Sequence, residues 1–132
     1  MIRDVAAAVV VRDGRVLLAR RKPGKRMAGY WEFPGGKIEA GETPQACLER
    51  ELREEFGVTA RAGALIAENT HRYDHIAIRL LALSVELTGD MREMHDHDRV
   101  DWVPLEKLLE YHLAPADIPI ATVITRTHRF AT

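Results

Sequence analysis

The segment PQACLERELREEF, residues 44–56, carries the side chains best suited to chemistry. On a helical wheel at about 100° per residue, Leu48, Leu52 and Phe56 recur at i, i+4 and i+8 and define a core-facing stripe. Glu51 and Glu55 lie beside that stripe, and Glu54 falls on the same flank, within an arc of roughly 100°. Arg50, Arg53 and Glu49 take the other side and are expected to face solvent. Carboxylates crowded at the edge of a buried face repel one another and lose hydration, which is costly unless a cation sits among them. A hard divalent cation meets that need, and magnesium suits sites that share carboxylates with substrate phosphates. The helix alone leaves a second reading open. Arg50 with Glu54 and Glu49 with Arg53 are i,i+4 pairs of the kind found on plain surface helices.

The flanking residues favour the first reading. Gly35-Gly36-Lys37 offers bare backbone and a point charge for phosphate, and Glu42 adds a further acid before the helix. Thr43 is placed to cap the helix, Pro44 fits its first turn and Gly57 its C-terminal stop. Elsewhere Val5–Val11 reads as a strand covered on both faces, turned by Asp13-Gly14 into a returning strand at Val16–Ala19. Lys22–Gly29 reads as a loop, and Trp31-Glu32-Phe33 as a short strand broken by Pro34-Gly35-Gly36. Further strands are expected at Leu65–Thr70, Ile76–Leu87 and Val100–Val103. A polar loop is expected at Met91–Arg99, and helical segments at Pro104–Tyr111 and Ile118–Thr127. Interleaved helices and strands point to one α/β or α+β layer structure.

Composition narrows the class. With 46% hydrophobic and 30% charged residues, the chain has room for one ordinary globular domain, residues 1–132. A net charge of -1 argues against a nucleic-acid polymer as partner. No stretch approaches the ~20 apolar residues of a membrane span, and no signal-peptide layout opens the chain. A lone cysteine, Cys47, excludes an internal disulfide and fits a reducing compartment, so a cytoplasmic location is expected. Its acidic neighbours would raise the thiol pKa, which fits a small buried side chain better than a nucleophile.

Residues 36–58 resemble the Nudix box, G-x5-E-x7-R-E-U-x-E-E-x-G-U with U apolar. The matching positions are Gly36, Glu42, Arg50, Glu51, Leu52, Glu54, Glu55, Gly57 and Val58. With the surrounding WEFPGGKIE and GETP, the chain is similar to the MutT-like branch of the Nudix hydrolases. The resemblance implies a mixed β-sheet sandwiched between helices and an enzyme acting on phosphorus-containing anhydrides. It also implies Mg²⁺, with Mn²⁺ as a substitute, bound by Glu51, Glu54, Glu55 and the Gly36 carbonyl, with Arg50 orienting the acids. Counting back from Trp102, the later loop acid is Asp96, where relatives carry Glu; it is a further candidate metal ligand or general base. The other residues of His95-Asp96-His97-Asp98 also fit a solvated loop.

For substrate, the resemblance points to a nucleoside triphosphate cleaved to the monophosphate and pyrophosphate, with 5-substituted dCTP, CTP and 8-oxo-dGTP foremost. Arg21, Phe33, Gly35, Gly36, Lys37 and Asp117 are the implied substrate-binding positions, and Arg26 is a further candidate. LAPADIP, residues 113–119, is similar to the matching stretch of CTP pyrophosphohydrolases, and Asp117 stands where 8-oxo-dGTP-specific relatives carry Asn. An ionised carboxylate only accepts hydrogen bonds, so Asp117 suits an amino group such as N4 of cytosine. A protonated Asp117 accommodates 8-oxoguanine, and a third role, capping the last helix, is open. Alternatives are a Nudix hydrolase of ADP-ribose, NADH or dinucleoside polyphosphates, or a non-catalytic nucleotide-binding module. The expected assembly is a monomer or homodimer.

Overall fold

The computed structural model describes residues 1–127. In chain order the strands are β1 (Ile2–Val9), β2 (Val11–Arg12), β3 (Arg15–Arg21), β4 (Trp31–Glu32) and β5 (Gly35–Lys37). Helix α1 (Pro44–Phe56), β6 (Ala60–Arg72), β7 (Ala77–Leu87) and β8 (His97–Pro104) follow. Two 3₁₀ turns, Leu105–Glu110 and Pro115–Asp117, lead into α2 (Ile118–Arg126).

The strands form two four-stranded sheets rather than one. The first runs β5-β1-β7-β6 and is mixed: β1 and β7 are parallel, while β5 and β6 are antiparallel to their neighbours. In the second, β3 pairs antiparallel with β2, β4 and β8. Asp13 and Gly14 both take positive φ, 53° and 74°, which matches the twist of the β2–β3 hairpin.

Alternation along β1 builds the sandwich. Ala7 and Val9 face a core completed by Ile120, Ala121 and Ile124 of α2. Ala6, Ala8 and Val10 face a second core completed by Cys47, Leu48, Leu52 and Phe56 of α1. A strand buried on both faces needs apolar residues at every position, which is the run read in the sequence. Helices therefore cover both sides, as the sequence resemblance implies.

Among the expected boundaries that move, two bear on the site. Gly35–Lys37 is a strand, because a glycine pair without side chains can lie directly against β1; a Cβ on Gly35 would overlap the Ala6 carbonyl oxygen. His97–Arg99 leaves the expected loop and joins β8. No helix among the described residues is long and apolar enough to cross a membrane.

Candidate functional site

Local chemistry fixes α1. The Thr43 hydroxyl accepts from the Ala46 N–H at 3.0 Å, Pro44 opens the first turn, and Gly57 closes the helix at φ 63° with its N–H on the Arg53 carbonyl. Leu48, Leu52 and Phe56 are fully buried, so the acidic flank is held at the edge of the core. Arg53 faces solvent as expected, but Arg50 and Glu49 do not. The 37–42 segment folds over the helix and gives Arg50 partners that a helical wheel cannot show. Its guanidinium donates to both Glu42 oxygens, to Glu51 Oε1 at 3.0 Å, to Glu54 Oε1 at 3.2 Å and to the Lys37 carbonyl. The bonds to Glu42 and, less strongly, Glu51 raise the Arg50 pKa, and the Arg50 bond lowers that of Glu42 to about 2. Glu49 accepts instead from the Ala62 N–H at 3.0 Å and fastens α1 to β6.

The three Nudix-type acids sit in different surroundings. Glu51 is half-buried, with its carboxylate against Gly36, where a Cβ would overlap the carboxyl carbon and both oxygens. Burial raises its pKa against the pull of Arg50, and the charges of Glu54 and Asp96 add to the rise. Glu54 is mostly exposed and pairs with Arg50. Glu55 is buried, and its Oε2 accepts from the backbone N–H groups of His95, Asp96 and His97 at 2.8, 2.7 and 3.2 Å. Among the described residues no three acid, histidine or cysteine side chains stand together as a ready metal cage. The donor set still fits a hard divalent cation: acidic oxygens, one of them half-buried beside other negative charge, close to a glycine backbone that leaves room.

Asp96 is engaged by a cation already. Lys25 Nζ lies 3.0 Å from its Oδ1, and that hydrogen bond lowers the Asp96 pKa. His97, expected to be a candidate for a solvated loop, is buried. The β3–β8 register shifts between Arg20 and Arg21, so Asp98 is the extra residue on β8. A bulge of this kind re-aims neighbouring side chains. Asp98 turns out to pair with Arg20 at 2.9 and 3.1 Å. His97 turns in, with Nδ1 3.1 Å from Glu55 Oε2 and Nε2 2.8 Å from Glu32 Oε2. Burial alone would lower the His97 pKa; the hydrogen bond and charge of Glu32, joined by those of Glu55, outweigh it and the net shift is upward.

A cleft of about 260 Å³ runs from Gly35 and Gly36 past Arg21 and Glu32 to Phe33 and Asp117. Phe33 serves both cleft and core, being buried in the α2-side cluster. Arg21 lies 3.6 Å from Glu32 Oε2 and donates to the Arg26 carbonyl. Arg3 and Arg26 also line the cleft, so three guanidiniums flank it. Lys37 is exposed and lines a separate depression beside Arg3, Asp4 and Glu39. Arg3, Glu32 and Tyr73 were not among the residues expected from the sequence. They come from three different strands or loops, and no local motif marks their convergence. Asp117 does not cap α2, since its side chain makes no capping bond there. Its Oδ2 accepts from the Phe33 N–H at 3.0 Å. Burial, with Glu32 adding, pushes its pKa well above the carboxylate range against that one favourable bond. A buried acid held in its protonated form donates as well as accepts, much as Asn does.

The NUDIX domain profile matches residues 2–124. The chain belongs to the NUDIX family. Among curated NUDIX relatives, the CTP pyrophosphohydrolase of Escherichia coli (strain K12) is 41% identical over 117 residues, covering 89% of this chain and 87% of that protein. A putative 8-oxo-dGTP diphosphatase 2 of Mycobacterium tuberculosis (strain ATCC 25618 / H37Rv) is 39% identical, covering 86% of this chain and 81% of that protein. Among solved structures, the E. coli ORF135 protein superposes with a TM-score of 0.86 at 39% identity, covering 99% of this chain and 95% of that one.

Proposed function

We propose that this NUDIX chain hydrolyses a nucleoside triphosphate to the monophosphate and pyrophosphate, with Mg²⁺ held by Glu51, Glu54, Glu55 and the Gly36 carbonyl. The observation that carries the reading is the shared cleft. Gly36, on which the Glu51 carboxylate rests, lines the same space as Phe33 and Asp117. A base at one end and a polyphosphate at the other would span both, and Arg3, Arg21 and Arg26 supply cations along the wall.

A divalent cation held by these residues would supply charge neutralisation for the phosphates and a site for water, chemistry that needs no protein nucleophile. The side chains do the positioning. Arg50 holds Glu42, Glu51 and Glu54 in one fan, and the 95–97 backbone pins one oxygen of Glu55. Asp96, freed from Lys25, is one candidate to take the proton from water, and a helix glutamate is the other.

The base end suits a cytosine or an oxidised guanine, the bases named in the two curated relatives. Burial raises the Asp117 pKa, which favours the protonated form that offers both donor and acceptor. The contrast with Asn is therefore smaller than an ionised carboxylate would give. A panel of CTP, 5-methyl-dCTP, 8-oxo-dGTP and canonical dNTPs, assayed for pyrophosphate with Mg²⁺, tests the proposal. Release from the modified or cytosine nucleotides ahead of the canonical purines is expected. Silence across the panel alongside turnover of ADP-ribose would refute it.

A further inference from the structure

The contacts of His97 go beyond that reading. Its imidazole is buried in a stack on Phe56, with ring centroids 5.8 Å apart and planes at 18°. One nitrogen meets Glu55, a proposed metal ligand on α1. The other meets Glu32, which lines the base-binding cleft and also faces Arg21. Removing either carboxylate would leave a ring nitrogen of a buried side chain without its partner. The ring cannot tilt freely either, because the bulge at Asp98 and the Phe56 face fix it. Arg21, Glu32, His97 and Glu55 thus form one continuous line of polar contacts from the cleft to the helix.

We propose that His97 is a positioning residue that couples the base end of the cleft to the metal end, by holding the Glu32 and Glu55 carboxylates in a fixed relation. The inference rests on Glu55 being a metal ligand. A group that orients a ligating carboxylate or imidazole typically changes metal affinity by roughly 10–100-fold when removed. What is specific to this arrangement is that Glu32, which is not itself a proposed ligand, acts on the metal through the ring. Residues linked through a shared partner give non-additive effects in a double-mutant cycle.

The test is Mn²⁺ affinity of the nucleotide-free protein, read by electron paramagnetic resonance, for the parent, Glu32→Ala, His97→Leu and the double variant. His97→Leu is expected to weaken Mn²⁺ binding by roughly tenfold or more. Glu32→Ala is expected to weaken it by about threefold or more in the parent and to have no effect in the His97→Leu background. His97→Gln, which restores one donor, recovers part of the affinity. Circular dichroism and thermal melts confirm that each variant folds. Equal Glu32→Ala effects in both backgrounds, or none in the parent, would overturn the coupling. Glu55→Gln separates the two layers. If it leaves Mn²⁺ affinity intact, the ligand assignment falls and the coupling with it. If it weakens binding while the cycle is additive, only the coupling falls.

Discussion

Glu51 and Glu55 stand four residues apart on one helical flank, yet the rest of the chain treats them differently. Glu51 is pressed against a glycine and raised in pKa by burial, with nearby acids adding to the rise; Glu55 has one oxygen saturated by three backbone N–H groups and a histidine. At the base end, Asp117 shows how burial changes the meaning of a residue type. Its folded pKa is raised, so the folded state keeps a proton that the unfolded chain releases above about pH 4. Its contribution to stability is full below that value and falls as pH rises toward the folded pKa. Asp117→Asn keeps an acceptor for the Phe33 N–H and removes the titration. Thermal melts of the variant and the parent should therefore diverge in the variant's favour as pH rises from about 4 to 7. A constant difference across that range would mean that Asp117 is ionised in the folded protein.

At the scale of elements, α1 was legible and its surroundings were not. Thr43, Pro44 and Gly57 act on atoms within a few residues, so their roles follow from sequence distance alone. Thr43→Ala should cost about 1 kcal/mol of unfolding free energy, measured by urea titration, with little change in the catalytic pH profile. A helical wheel puts Arg50 on the solvent face, but its partners, Glu42 and the Lys37 carbonyl, arrive from a segment that folds back over the helix. His97 was hidden for a different reason. An alternating His-Asp-His-Asp run looks like a solvated loop until a bulge sends Asp98 outward and its neighbour inward.

For the molecule as a whole, the apolar run of β1 correctly implies cover on both faces, and α1 and α2 supply it, as the family resemblance implies. The division into two sheets was not visible, because pairing partners 75–89 residues apart leave no local trace. The cleft has the same character: Arg3, Arg21, Phe33, Tyr73 and Asp117 come from separate strands, loops and a turn and meet only in the folded chain. What the two sheets achieve is to bring the glycine strand β5 and the Asp117 turn around one space, with Glu51 of the acidic helix set against Gly36 at its edge. In the proposed function a divalent cation is held here against a triphosphate, and Glu54 tests that most cleanly. Glu54 is mostly exposed, with Arg50 as its side-chain partner, so its loss disturbs the fold least. Pyrophosphate release from CTP and 8-oxo-dGTP, followed across a Mg²⁺ titration in the parent and in Glu54→Gln, is the decisive measurement. A strictly Mg²⁺-dependent rate that drops by roughly a hundredfold or more in the folded variant is the expected result. Equal rates in the two proteins, or release that persists in excess chelator, would contradict it.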